Sequence, residues 1–438
     1  MLFSQKSSTF AGKMSKLSQF ISSANVQNAA KLLSANVVAQ IVGLMVYPIL
    51  TRIYAPEDFG LLNLFLSIGG ILAILSTAEY YNAIVLPKED AEAIKVVHIC
   101  LFLLLAVAGI AGISAVFSKP IANIFKTPEL ARYYWMTPIL VLVLGGWNII
   151  NYWYIRKSLY NRISGYQLSN TVLASGCKIG FGSLGLLQGG LIYSVILAPL
   201  ISLIFNIILG WKQGVRDIFQ QTNENWYNIA KKYRNFPLYS LPKTLINMLA
   251  GQLPVLLLTP IFGTESVGLW SMAILLSFTP ISLISRSLYQ VLYQETATRV
   301  NNHQTIGRYF RNFTIGTLSI GIPLSCLLFA FMLDLVPFLL GDEWLASGIY
   351  IRWMLPWLLC SLLTSSTGFL ADIFFKQKIG FGFEVLTVVL RVIGVVVGIA
   401  MNDFYISIIG YAVGSAVAVL AQFIWLMHLA NAYDKTAQ

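Results

Sequence analysis

Twelve apolar stretches of about 20 residues follow one another along this chain, separated by polar breaks too short to fold alone. A helix rises about 1.5 Å per residue, so about 20 apolar residues cross the ~30 Å hydrocarbon layer of a bilayer. Lipid offers no partner to a free N–H or C=O, which leaves the helix as the natural form for each stretch. The spans are placed at 31–54, 60–86, 94–117, 134–155, 166–187 and 189–211, then at 238–260, 266–290, 312–333, 348–370, 379–401 and 404–430. Only 11% of the 438 residues are charged and 57% are hydrophobic, too little polar surface for a soluble fold of this size.

The two halves are related. Thr-Arg-Ile-Tyr-Ala-Pro-Glu-Asp-Phe-Gly-Leu at 51–61 returns 208 positions later as Thr-Pro-Ile-Phe-Gly-Thr-Glu-Ser-Val-Gly-Leu at 259–269, each copy ending one span and opening another. A membrane bundle built twice places its site between the halves and works by rocking one against the other. The expected fold is all-α and polytopic, with about twelve transmembrane helices in two pseudo-symmetric six-helix lobes around a central cavity. Its parts are an amphipathic N-terminus at 1–30, an N-lobe at 31–211, a basic connector at 212–237, a C-lobe at 238–430 and a tail at 431–438.

Charge orients the bundle. With the N-terminus inside, twenty of the 29 Lys and Arg residues fall on inner segments and five on outer loops. Basic residues are retained on the cytoplasmic side, so both termini and the connector are expected there. The net charge of +11 then reflects topology and attraction to anionic headgroups, not nucleic-acid binding. Cys100, Cys177, Cys326 and Cys360 lie within spans, without metal-ligand spacing, and read as packing residues. No loop carries a Gly-rich phosphate loop or paired catalytic acids, and His98, His303 and His428 are scattered. Catalysis, metals and cofactors are not expected; the pattern suits a transporter.

An ionisable side chain at bilayer depth costs roughly 2.5–3.5 kcal/mol, so it faces a bundle interior or a wet cavity. Span 5 carries Gln167, Thr171 and Lys178 on one face, with Lys178 near its middle. Span 11, its counterpart, carries Glu384, Thr387 and Arg391. Span 1 lines up Asn36, Gln40, Gly43 and Tyr47, and span 7 Lys243, Asn247 and Gly251. For Asn36 and Gln40, helix packing and cavity lining are equally served. Glu79 and Arg286 take nearly equivalent places in the two halves, suiting an ion pair between the lobes or a gate. Pro48, Pro254 and Pro260 are expected to interrupt spans 1 and 7. The excess of in-span cations points to an anionic substrate, with a phosphate or diphosphate head gripped by Lys178 and Arg391, aided by Arg286 and Arg52.

The stretch Gln40 to Ala93, with Thr-Arg-Ile-Tyr-Ala-Pro-Glu-Asp-Phe-Gly at 51–60 and Ala-Ile-Val-Leu-Pro-Lys-Glu-Asp-Ala-Glu-Ala at 83–93, resembles the Wzx-type polysaccharide-biosynthesis (O-antigen) flippases. These belong to the multidrug/oligosaccharidyl-lipid/polysaccharide exporter superfamily. The resemblance implies inner-to-outer movement of an oligosaccharide on a lipid diphosphate, undecaprenyl diphosphate in a bacterial inner membrane, coupled to H+ or Na+. Glu79 and Glu384 are the candidates for holding the coupling ion or working a gate. Implied partners are the lipid-linked oligosaccharide, membrane lipids, a polysaccharide polymerase and a chain-length regulator, with a monomer as the transport unit. The chain departs from the family at Glu79-Tyr80-Tyr81, where Arg-Tyr-Glu is common, and Arg286 could supply the missing cation. A cation-coupled multidrug exporter is the main alternative, and a membrane polymerase or ligase a weaker one.

Overall fold

The computed structural model of the protein describes residues 24–222 and 224–437, and for 24–36 and 436–437 the backbone only. The first 23 residues of the expected amphipathic segment, and the side chain of Asn36, lie outside the described residues. Among the described residues twelve helices cross the bundle. In the N-lobe they are α1 (Ala24–Leu50), α2 (Pro56–Leu75), α3 (Asp90–Ser114), α4 (Thr137–Arg156), α5 (Tyr160–Ser183) and α6 (Leu187–Gly210). In the C-lobe α7 (241–262) and α8 (264–301) form one stretch broken at Gly263, followed by α9 (Gly307–Leu340), α10 (Leu345–Thr367), α11 (Gln377–Ala400) and α12 (Phe404–Ala437). An even number of crossings brings residues 24 and 437 and the connector to one face, called here the terminal face; the opposite is the distal face.

Nine helical stretches among the described residues are both long and apolar enough to span a membrane. The break at Gly263 makes two helices of one stretch, and α1 and α5 complete the twelve. The α5 sequence, from Tyr160 through Asn170 to Lys178, is long but polar, and only Ile163, Tyr166 and Gly182 of it are buried, as suits a helix that lines a wet cavity. Pro48, Pro254 and Pro260 do not break their helices, contrary to expectation. Bundle packing and side-chain hydroxyls hold the backbone through such residues; Thr259, just before Pro260, donates to the Val255 carbonyl. The reversal occurs instead at Gly263, whose φ of 85° suits a residue without a Cβ. At the terminal face α8 extends to Asn301 and α12 to Ala437, so residues expected as loop and tail continue as helix.

The connector is not a free strap. Trp153, fully buried, donates from Nε1 to the Gly214 carbonyl at 2.9 Å. His98 Nε2 lies 2.8 Å from the Ile218 carbonyl. Lys232 and Tyr233 both reach the Glu92 carboxylate, and that hydrogen bond holds the Lys232 ammonium above its ordinary pKa. Val215, Ile218 and Ile229 enter the N-lobe core. Residues 215–222 and 224–233 therefore go with the N-lobe, and the joint between lobes lies after them, in the π-helical turn Phe236–Ser240.

The two repeats of the duplicated motif meet each other. A Cβ on Gly60 would strike the Thr264 carbonyl, and a Cβ on Gly268 would strike the Pro56 carbonyl. Gly60 and Gly268 are equivalent across the 208-residue repeat, as are Pro56 and Thr264, so α2 and α8 cross about a pseudo-twofold axis. Close backbone approach through glycine is a recurrent way of packing helices in membranes. Trp344 seals the crossing: its Nε1 donates to the Thr51 carbonyl at 3.2 Å and its ring meets Phe59 edge-on at 5.3 Å. Further in, Ser67 of α2 donates to Gln252 of α7 at 2.9 Å.

One hydrophobic core joins the lobes at the distal side, from Leu50, Phe59 and Phe65 to Val267, Trp270 and Trp344. Toward the terminal face that core divides. The N-lobe keeps its own, around Val97, Trp153 and Tyr154, and the C-lobe another, around Phe310, Phe369 and Leu426. The molecule is a fork, closed at the distal face and parted at the terminal face.

Candidate functional site

The N-lobe arm presents α5 against α1. Gly43 of α1 faces the Thr171 methyl, and Thr171 Oγ1 donates back to the Gln167 carbonyl. Lys178 places its ammonium 5.9 Å from the centre of the Tyr47 ring, within reach of a cation–π attraction. The Tyr54 hydroxyl of the distal motif donates to the Lys178 carbonyl at 2.6 Å, tying the repeat to this helix. Lys178 is not at mid-helix: α5 ends at Ser183, so it stands about a turn and a half below the distal end. The polar run Tyr160–Ser164 is helical, which shifts the helix toward the terminal face relative to the apolar count. Below Lys178, Gln40, Asn151, Ser164, Gln167 and Asn170 each hold a buried side-chain oxygen with no protein partner. A dry interior would make each costly, so this wall is built for polar company.

The C-lobe arm presents Arg391 on α11. Its Nε donates to Ser415 Oγ of α12 at 2.8 Å, and its guanidinium lies 4.9 Å from the Tyr411 ring and 5.3 Å from Trp357. That seat fixes the guanidinium plane. Two helical turns away, Glu384 Oε2 is buried without a protein partner, and Thr387 donates to the Phe383 carbonyl. Lys178 and Arg391 are thus each held within their own lobe, and none of their hydrogen bonds or ring contacts links one to the other.

Glu79 and Arg286 do not pair, which corrects the expected ion pair across the lobes. Glu79 is buried, with its carboxylate accepting from the Tyr81 hydroxyl at 3.0 Å and from Asn82 Nδ2. Ala78 and Glu79 both have positive φ, 46° and 63°, in a turn where neither is glycine. Strain of this kind costs of order 1–3 kcal/mol per residue and persists where the surroundings enforce it. Arg286 is exposed on the C-lobe, in a crevice with Ser285, Tyr289 and Gln290. The parting of the lobes at the terminal face accounts for the separation.

Arg52 lies elsewhere: exposed at the distal face, in a cavity with Asp58, Arg132 and Glu343. Asn247 of α7 is exposed, about a turn and a half from Gln252, which accepts from Ser67 of α2. Among the described residues no three His, Cys, Asp or Glu side chains gather as metal ligands would.

The aromatic seats escaped the sequence reading. Trp357, Tyr411 and Ser415 hold Arg391, yet they come from α10 and α12 at no fixed spacing from it. On the N-lobe, Trp147 stacks on Tyr166 at 3.4 Å and Tyr81 meets Tyr152 at 4.8 Å. In the sequence this wall shows as the aromatic and amide run Trp147, Asn148, Asn151 and Tyr152, which Tyr166 of α5 and Tyr81 complete.

The sequence profile of a polysaccharide biosynthesis protein family matches residues 49–348. The succinoglycan biosynthesis transport protein ExoT of Rhizobium meliloti (strain 1021) is 19% identical over 300 residues, 68% of this chain. The chain spans 58% of the length of that relative. Among solved structures, an inward-facing multidrug resistance MATE family transporter of the MOP superfamily superposes with a TM-score of 0.69 at 15% identity, covering 94% of this chain and 100% of the other. The lipid II flippase MurJ, in an inward closed conformation, gives 0.61 at 14% identity, covering 93% and 90%. These likenesses are of fold.

Proposed function

This chain belongs to the polysaccharide biosynthesis protein family, and from that premise we propose that it is a flippase for lipid-linked oligosaccharides. The cargo is a glycan repeat unit on a lipid diphosphate, of the undecaprenyl diphosphate type. It enters from the inner leaflet and leaves to the outer one by alternating access. The observation that carries this reading is the divided core: one hydrophobic body joins the lobes distally and two separate bodies stand apart at the terminal face. A fork of this shape opens one way and can rock to open the other.

Each arm offers the cargo a different surface. Lys178 and Arg391 supply donors to diphosphate oxygens, and the amide and aromatic wall of the N-lobe suits hydroxyls and sugar faces. Glu79, bonded to Tyr81 and Asn82, and Glu384, with a free oxygen, are carboxylates that can exchange a proton or hold Na+ as lobes move. The terminal face is cytoplasmic in this reading, and a polymerase with its chain-length regulator takes the cargo beyond the distal face.

Deleting the gene from its host should remove surface polysaccharide and leave lipid-linked repeat units on the inner leaflet, and the wild-type chain should restore export. A deletion strain with normal polysaccharide but raised sensitivity to cationic drugs would instead make the protein a multidrug exporter.

A further inference from the structure

We propose that the C-lobe carries a seat for one anionic polyprenyl lipid: a headgroup pocket around Arg286 and an apolar slot for the chain between α8, α9 and α10. The inference rests on the reading that the cargo is a lipid diphosphate. The slot encloses about 400 Å³ and its wall is apolar except for Ser277 and Ser325; Leu276, Ile284, Leu324 and Leu339 mark its extent. The pocket, about 390 Å³, is lined by Arg286, Ser282, Ser285, Tyr289 and Gln290. Ile281 belongs to both linings, so the two spaces abut along α8.

Two side chains in the pocket await a ligand. Ser285 is only 5% exposed, and its hydroxyl has no protein partner. Arg286, whose guanidinium offers a forked set of donors, meets no carboxylate within 4.0 Å among the described residues. A cation beside an unpaired hydroxyl is complementary to phosphate oxygens.

Depth gives the seat its polarity. Arg286 stands roughly 22 residues past the start of α8, about 33 Å at ~1.5 Å per residue, close to the thickness of the hydrocarbon layer. It therefore lies at headgroup level on the terminal side. The slot runs from there toward the distal side along α9 and α10. A lipid of the terminal-face leaflet has its charge and its chain in that order. One slot takes one chain, which fits a polyprenyl lipid and leaves the second chain of a phospholipid without a place.

The test uses the full-length protein in phosphatidylcholine nanodiscs, with native mass spectrometry reading the binding of undecaprenyl diphosphate, farnesyl diphosphate and phosphatidylglycerol. Wild type should prefer the long chain over the short one by at least about tenfold. Leu324→Trp and Leu339→Trp, at positions 50% and 40% exposed, fill the slot with little demand on the fold. Leu339→Trp, at the distal end of the slot, should abolish the preference while farnesyl diphosphate binds as before; Leu324→Trp, nearer the headgroup, should weaken both prenyl lipids. Arg286→Gln should weaken both prenyl lipids about equally. A preference that survives Leu339→Trp, or phosphatidylglycerol binding as tightly as undecaprenyl diphosphate, would overturn the seat. Either result beside a deletion strain that lacks surface polysaccharide leaves flipping intact; a strain with normal polysaccharide removes the premise itself.

Discussion

Replacing Gly60 by leucine should abolish polysaccharide export while the protein remains in the membrane at near-normal level. The new side chain would meet the Thr264 carbonyl, a backbone atom that cannot rotate away. Overpacking against side chains costs about 1–3 kcal/mol, and a fixed backbone obstacle sits at or above the top of that range. The clash exists only while α2 and α8 are crossed, so the substitution acts on one conformation and not on the fold. The distal face should stay open and the cycle should stall. A cysteine at Ser67, buried against Gln252 between the lobes, reports this in a background free of other cysteines. Polar thiol reagents added from the distal side should label it at least about tenfold faster in the leucine variant, the change that 1.4 kcal/mol in the opening equilibrium gives. Gly268→Leu should behave alike, because the repeat gives it the reciprocal contact with Pro56. Normal export with leucine at both positions would show that the crossing does not limit the cycle.

Neutralising Lys178 and Arg391 together, as Lys178→Gln with Arg391→Gln, should be equally severe. Hydrogen bonds to a charged group contribute about 1.5–3 kcal/mol each, so losing both should lower export by roughly a hundredfold or more. Arg391 also holds α11 to α12 through Ser415, so protein level must be followed alongside polymer. Arg391→Lys separates the two effects. It keeps the charge but not the planar fork seated between Trp357 and Tyr411, and should recover only part of the activity. Wild-type polymer from the double variant would exclude both cations from headgroup binding.

The fold was legible because membrane helices announce themselves by length and apolarity, and because the motif at 51–61 kept enough identity at 259–269 to reveal the duplication. What the repeat does was not legible. Only the folded backbone brings Gly60 onto Thr264 and Gly268 onto Pro56. Helix ends were read too short at α8 and α12 because polar helix beyond the bilayer resembles loop in composition. The same blindness put Lys178 at mid-span: the helical start of α5 is polar, so the count began too late. Glu79 and Arg286 were paired by sequence offset alone, which takes no account of lobes that stand apart at one face. The seat of Arg391 was invisible because Trp357, Tyr411 and Ser415 come together from separate helices.

The most direct measurement is transbilayer movement in proteoliposomes holding the purified chain and a fluorescent glycan on a polyprenyl diphosphate. A membrane-impermeant lectin or quencher reads the fraction of cargo on the outer leaflet over time. Wild-type protein under an imposed H+ or Na+ gradient should move the cargo many times faster than protein-free vesicles, and Gly60→Leu should reduce the rate to background. Equal rates with and without the wild-type protein would contradict the account.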